Sequence, residues 1–190
     1  MMRTSPSSIC PRATTLFRGF ARERSGMAAV EFALILPVML LLYLGGFEAS
    51  KALEASRKVE TTAETVGNLV ARNRMMNPTA MGNIFGISSA VMAPFSPDAL
   101  KIIVTAVQVD EKGQGTVDWS QANSGSGLAA GAFYPVAPEL FFGTASYLIV
   151  ADVSYAYAPL LDYTNSFSNI TFSKTYTFRP RLSKSVKWEN

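Results

Sequence analysis

Residues 22 to 47 read Arg-Glu-Arg-Ser-Gly-Met-Ala-Ala-Val-Glu-Phe-Ala-Leu-Ile-Leu-Pro-Val-Met-Leu-Leu-Leu-Tyr-Leu-Gly-Gly-Phe. Between Arg24 and Glu48 lie 23 residues, and Glu31 is the one charged side chain among them. A helix of that length covers roughly 34 Å at ~1.5 Å per residue, enough to cross the hydrocarbon core of a bilayer. Arg12, Arg18, Arg22 and Arg24 precede it, and no comparable basic cluster follows directly. The positive-inside rule therefore keeps the N-terminus in the cytoplasm and sends the rest of the chain across. A secretory signal would have a shorter apolar core and a small-residue cleavage site directly after it. Ser50-Lys51-Ala52 is a poor substitute, lying past Glu48 with a lysine in its middle. The segment is expected to stay as a membrane helix.

Glu31 is the informative residue, because a carboxylate near the edge of a membrane segment is costly and usually has a partner. Gly26 lies five residues before it, behind Ser25 and a pair of arginines. The run Gly26-Met27-Ala28-Ala29-Val30-Glu31-Phe32 resembles a type IV prepilin processing site. That resemblance implies that a membrane peptidase cuts after Gly26 on the cytoplasmic side. Met27 would become the first residue, and its new amine and the Glu31 carboxylate could neutralise each other within a subunit or between neighbours. The alternative is that Glu31 snorkels to the headgroups with no further role.

The next residues narrow the family. Ala29-Val30-Glu31-Phe32-Ala33-Leu34-Ile35-Leu36-Pro37 resembles the opening of TadE-like proteins, the minor pilins or pseudopilins of tight-adherence (Flp-type) pilus systems. The run of Glu48, Arg57, Ala71 and Arg72 and the late Thr177-Phe178-Arg179-Pro180-Arg181 agree with it. The resemblance is concentrated in residues 26 to about 72. Phe32 and a length of 190 residues separate the chain from the short major pilins, which usually carry Tyr after the Glu. The resemblance implies the prepilin peptidase, the assembly platform and other pilins as partners.

Composition limits the other possibilities. The length allows one modest domain beyond the membrane helix. The net charge of +3 is uneven: residues 1–26 carry +4 and the rest −1. The basicity is thus a topology signal, with no nucleic-acid footprint. The chain has no His, and its single Cys, Cys10, lies in the leader. A processed chain has neither, which removes disulfides, Cys or His metal sites and Cys–His or Ser–His catalysis. Asp110, Asp118, Glu139, Asp152 and Asp162 are scattered rather than clustered. No Gly-rich phosphate loop, calcium loop or nucleophile elbow is present. No cofactor and no small-molecule substrate is expected.

Along the chain, residues 1–21 are rich in Ser, Thr, Pro and Arg and are expected to be disordered. Pro37 removes one helical hydrogen bond and marks a bend that a membrane helix tolerates. The helix is expected to continue from 27 to about 72. Ala49, Ala52, Ser56, Val59, Ala63, Val66 and Val70, at alternating spacings of three and four, form a stripe of small side chains. The stripe packs either on the chain's own sheet, which is the expectation, or on a neighbouring subunit. Asn77-Pro78 opens a short second helix over 78–92, with Met81, Ile84, Phe85, Ser88 and Met92 on one face. The period then changes to two, predicting strands at 100–109, 116–120, 147–157 and 170–178, with a turn at 110–115. The long 121–146 connection carries aromatic residues that either lid the core, the expected role, or face a partner.

The fold class is therefore α+β and pilin-like: a long N-terminal membrane-spanning helix packed on a small antiparallel sheet, with a short second helix. The expected divisions are a basic, cleaved cytoplasmic leader (1–26), a transmembrane helix (27–47) and an extracytoplasmic domain (48–190). The functional expectation is a structural, non-enzymatic minor pilin or pseudopilin, single-pass in a bacterial inner membrane. Its C-terminal domain is periplasmic, and the protein either stays in the membrane or enters the pilus. Two alternatives stand beside it: a permanently anchored extracytoplasmic binding or scaffold module, and a tethered hydrolase using carboxylates.

Overall fold

The structure is a computed structural model that describes residues 24–141, 143–159 and 170–189. The expectations for the leader before Arg24 and for Asp162 lie outside the described residues. The chain divides into two units, one ending at Phe47 and the other beginning at Glu48, and each is described by itself. Helix α1, Arg24–Ala71, runs without interruption through Pro37 and Gly45-Gly46. In the first unit every described side chain from Gly26 to Phe47 is exposed.

The second unit holds the rest of α1, a second helix and a five-stranded sheet. Helix α2, Pro78–Met92, starts as its sequence dictates. The Asn77 side chain accepts a hydrogen bond from the Ala80 amide at 2.8 Å, and Pro78 occupies the first turn, where no amide donor is needed. Met81, Ile84, Ser88 and Met92 are buried, and the Ser88 hydroxyl donates to the Ile84 carbonyl one turn back, so its polar group is satisfied.

The long strands are β2 (Leu100–Val109), β3 (Gly115–Ala122), β5 (Ser146–Tyr157) and β6 (Ile170–Phe178), preceded in the chain by a short β1 (Met75–Met76). A two-residue β4 (Phe133–Tyr134) adds to the outer edge of β3. The order is β4-β3-β2-β5-β6, antiparallel throughout. Asp110 closes the β2–β3 turn by accepting from the amides of Lys112 and Gln114, and Gly113 supplies the positive φ that the turn requires. The last strand, β7 (Lys187–Trp188), pairs in parallel with β1.

Alternation sorts each strand onto two faces. Leu100, Ile102, Val104 and Ala106 of β2 and Ile149, Ala151, Val153, Tyr155 and Tyr157 of β5 join one core with Ala55, Val59, Ala63, Val66 and Val70 of α1. Each fully buried valine there contributes about 1.5–3 kcal/mol relative to exposure. The opposite face carries a smaller cluster of Val107, Val109, Leu148 and Val150. Tyr134, Val136, Leu140 and Phe141 from the 121–146 connection cover it, so these aromatics lid the back of the sheet, while Phe133 stays exposed.

One expectation needs correcting. The small-residue stripe is buried from Val59 to Val70, but Ala49 is exposed and Ala52 and Ser56 are only half-buried. Ala55 and Thr62 take the core positions instead. A repeat of 3.5 residues drifts by ~20° per seven residues around a straight helix. A stripe aligned at Val66 has therefore turned off the buried face before Ala49.

Candidate functional site: the exposed apolar helix

Gly26, Met27, Glu31, Phe32 and Pro37 all lie on α1 within the first unit, and all are exposed. Met27 and Glu31 are four residues apart, one turn along the same helix face. The Gly26–Met27 bond falls in the opening turn, whose first four amides have no intrahelical acceptor. That turn can open without breaking the ladder beyond it. A Cβ built at Gly26 meets nothing within 4 Å, so the position is sterically free. Phe32 is 64% exposed and Leu34 78%, and large apolar side chains point outward all round this part of the helix. An apolar surface of that kind on every side is the mark of a helix meant for lipid or for other helices. It is long and apolar enough to cross a membrane.

Where α1 enters the second unit, carboxylates on the helix meet tyrosines on the sheet. Tyr157 at the end of β5 donates its hydroxyl to Glu48 Oε1, and Tyr176 of β6 donates to Glu60 Oε1 at 2.8 Å. Burial, then the hydrogen bond to Glu48 and its negative charge, push the Tyr157 phenol well above its usual range. For Tyr176 the hydrogen bond to Glu60 is the main cause of an upward shift, followed by burial and the charges of Glu60 and Glu64. Lys58 Nζ adds a bond to the Val91 carbonyl at 3.0 Å, tying α1 to the end of α2. These contacts fix the second half of α1 on its own domain. The sequence reading missed Tyr157 and Tyr176, because a tyrosine closing a strand looks the same whether or not a distant helix offers a carboxylate.

The carboxylates weighed for catalysis are dispersed. Asp110 holds its own turn, Asp118 accepts from the Tyr147 hydroxyl at 2.6 Å, and Asp152 accepts from Thr175. Among the described residues no three acidic side chains gather into a group able to hold a metal.

Among the described residues, one all-round apolar helix runs on into a small α+β domain and packs there on an antiparallel sheet. Residues 26–67 match the family model described as TadE-like protein. That family is structural and pilus-associated, which implies interaction with other pilus components. No curated protein and no solved structure gives a significant match to the chain.

Proposed function

We propose that the chain is a minor pilin or pseudopilin of a tight-adherence (Flp-type) pilus system, with a structural and assembly role and no enzymatic one. The observation that carries this reading is the segment 26–47. It is exposed and apolar all round, holds one carboxylate, and lies inside the TadE-like match. In this reading a prepilin peptidase removes the leader at Gly26–Met27 from the cytoplasmic side. The helix then anchors the protein in the inner membrane, with the α+β domain in the periplasm. Transfer into the pilus brings the helix against other pilins, replacing lipid with helix-to-helix packing. The Met27 amine and the Glu31 carboxylate, next to each other at the new terminus, neutralise one another or a neighbour's counterpart. Phe32 and the leucines supply the apolar contact, and Pro37 gives the helix a point of bending. The assembly platform and the other pilins are the partners.

Mass spectrometry of the mature N-terminus, in cells with and without the peptidase, tests the proposal. Met27 is expected as the first residue only when the peptidase is present. Gly26→Ala should slow processing modestly and Gly26→Leu should block it. The open surroundings of Gly26 mean that neither change disturbs the folded chain. An intact leader in cells that carry the peptidase refutes the processing step and leaves an anchored module.

A further inference from the structure

The second unit carries a cleft of about 840 Å³ that the pilus reading does not use. One wall is the start of β5 with Asp118 of β3, and the other is the C-terminal segment from Arg179 to Lys187. That segment is strapped down along its length. The Arg181 amide donates to the Ala71 carbonyl at 2.9 Å, and the Lys187 amide donates to that of Arg74 at 3.1 Å. Val186 is fully buried, and its carbonyl accepts from Trp119 Nε1 at 2.7 Å with the Tyr147 hydroxyl 2.9 Å away. Trp188 lies against Trp119 with ring centroids 5.3 Å apart.

The fixed strap presents cations. Arg179, Lys184 and Lys187 all line the cleft, and Asp118 is the one acid among the described lining residues. Lys184 and Lys187 are exposed, and neither forms an ion pair among the described residues. Arg179 is steadied by a bond to the Leu140 carbonyl at 3.2 Å. On the facing wall the Ser146 hydroxyl is sheltered from water and has no hydrogen-bond partner among the described residues. The like charges of Lys184 and Lys187 on one strap repel one another, and an anion bound between them relieves that repulsion. Arginine and lysine both hold carboxylates, as they do phosphates, through charge-assisted hydrogen bonds.

The remaining groups decide what carries the carboxylates. An acidic sugar would need a flat aromatic plate for its ring. Tyr147 is the one aromatic side chain among the described lining residues, and it is buried with its hydroxyl engaged. An extended peptide has no such need, and it brings amide donors for the exposed Asp118. We propose that the cleft between β5 and the C-terminal strap binds an acidic peptide segment of another protein. Its carboxylates sit on Arg179, Lys184 and Lys187, and its backbone amides donate to Asp118. The inference does not depend on where the N-terminus is processed.

Fluorescence anisotropy tests it, using the full chain in neutral detergent micelles. The probe is a short fluorescein-labelled peptide alternating Glu and Ser, beside a Gln/Ser counterpart and an unlabelled trigalacturonate competitor. The Glu/Ser peptide is expected to bind and the Gln/Ser peptide to fail, with affinity falling as NaCl is raised. Lys184→Ala with Lys187→Ala should weaken binding by roughly tenfold or more, about 1.4 kcal/mol per decade. Lys101→Ala, an exposed lysine outside the cleft, should leave it unchanged. Arg179→Gln should weaken it too, and tryptophan emission from Trp119 and Trp188 checks that each variant is folded. Four results overturn the proposal: no binding of the Glu/Ser peptide, binding unchanged in the double variant, equal weakening by Lys101→Ala, or binding of trigalacturonate alone.

Discussion

Gly67 offers the sharpest test of how α1 sits on the sheet. A Cβ added there overlaps two ring carbons of Phe178 on β6 and lies 3.3 Å from the Ala151 Cβ on β5. Ala151 is fully buried and cannot retreat, whereas the half-buried Phe178 ring can shift at the expense of its stacking on Tyr176. Two effects oppose each other in Gly67→Ala. Alanine favours the helix by about 1 kcal/mol, and overpacking a well-filled contact costs about 1–3 kcal/mol. The clash should win by about 1 kcal/mol, lowering the thermal midpoint by about 3 °C for a domain of this size. Gly82 on α2 is the control, exposed and with nothing within 4 Å of the place a methyl group would take. Gly82→Ala should therefore raise stability by about 0.5–1 kcal/mol.

The assay is thermal unfolding of the full chain in detergent, followed by the emission of Trp119 and Trp188. Phe178→Leu makes room for the added methyl. The double variant should lose less than the sum of the two single changes, with a coupling of about 1 kcal/mol. If Gly67→Ala stabilises the protein as much as Gly82→Ala does, α1 does not rest on β5 and β6 at that point, and the packing argument is refuted.

Three other outcomes are expected. Tyr157→Phe removes the donor to a sheltered Glu48 carboxylate and should cost about 1–3 kcal/mol, read by the same melts. Burial, then the Asp118 hydrogen bond and charge, hold the Tyr147 phenol far above its usual range. Such a raised folded value means that its stability contribution is complete below the unfolded phenol's ~10 and is lost as pH rises above it. Tryptophan emission should report this alkaline loosening, and Tyr147→Phe should flatten it. Glu31→Gln should spare membrane insertion but reduce co-purification of the processed protein with other pilins by roughly tenfold or more. Equal recovery at equal membrane levels would show that the carboxylate is no assembly contact.

The parts of the fold governed by local chemistry were legible in the sequence. Asn77-Pro78 set the start of α2, Pro94 set its end, a run of β-branched residues placed β2, and two-residue periodicity placed β5 and β6 to within a residue. The parts that depend on distant partners were not. β1, β4 and β7 are two residues long, too short for any period, and exist only because another segment runs alongside. The register shift between Ala106 and Val107 of β2, opposite Asp118, brings Asp118 within reach of Tyr147, and no feature of 115–122 announces it. Nor does Arg179-Pro180-Arg181 declare in sequence that it begins the wall of a cleft. For the candidate site the balance was different. Gly26, Glu31 and Pro37 are candidates that spacing along one helix can raise, whereas Glu48 and Glu60 gain their contacts from tyrosines more than a hundred residues away.

The two halves of α1 show how one helix is written for two surroundings. From Gly26 to Phe47 the apolar side chains have no preferred face, and a carboxylate appears once, near the start. From Glu48 to Ala71 the apolar residues narrow to the positions facing the sheet: Ala55, Val59, Ala63, Val66 and Val70. Charged residues such as Glu54, Arg57 and Glu64 return to the other side. Side-chain size changes as well, from leucine and phenylalanine to alanine, valine and glycine. Large side chains maximise contact where the neighbours are fluid or are other helices. Small ones let a backbone approach a rigid sheet closely, as Gly67 does against Phe178. The switch falls at Glu48, the first charged residue after the apolar run and the one tied to Tyr157. A hydroxyl–carboxylate bond at that position holds this turn of α1 on the end of β5.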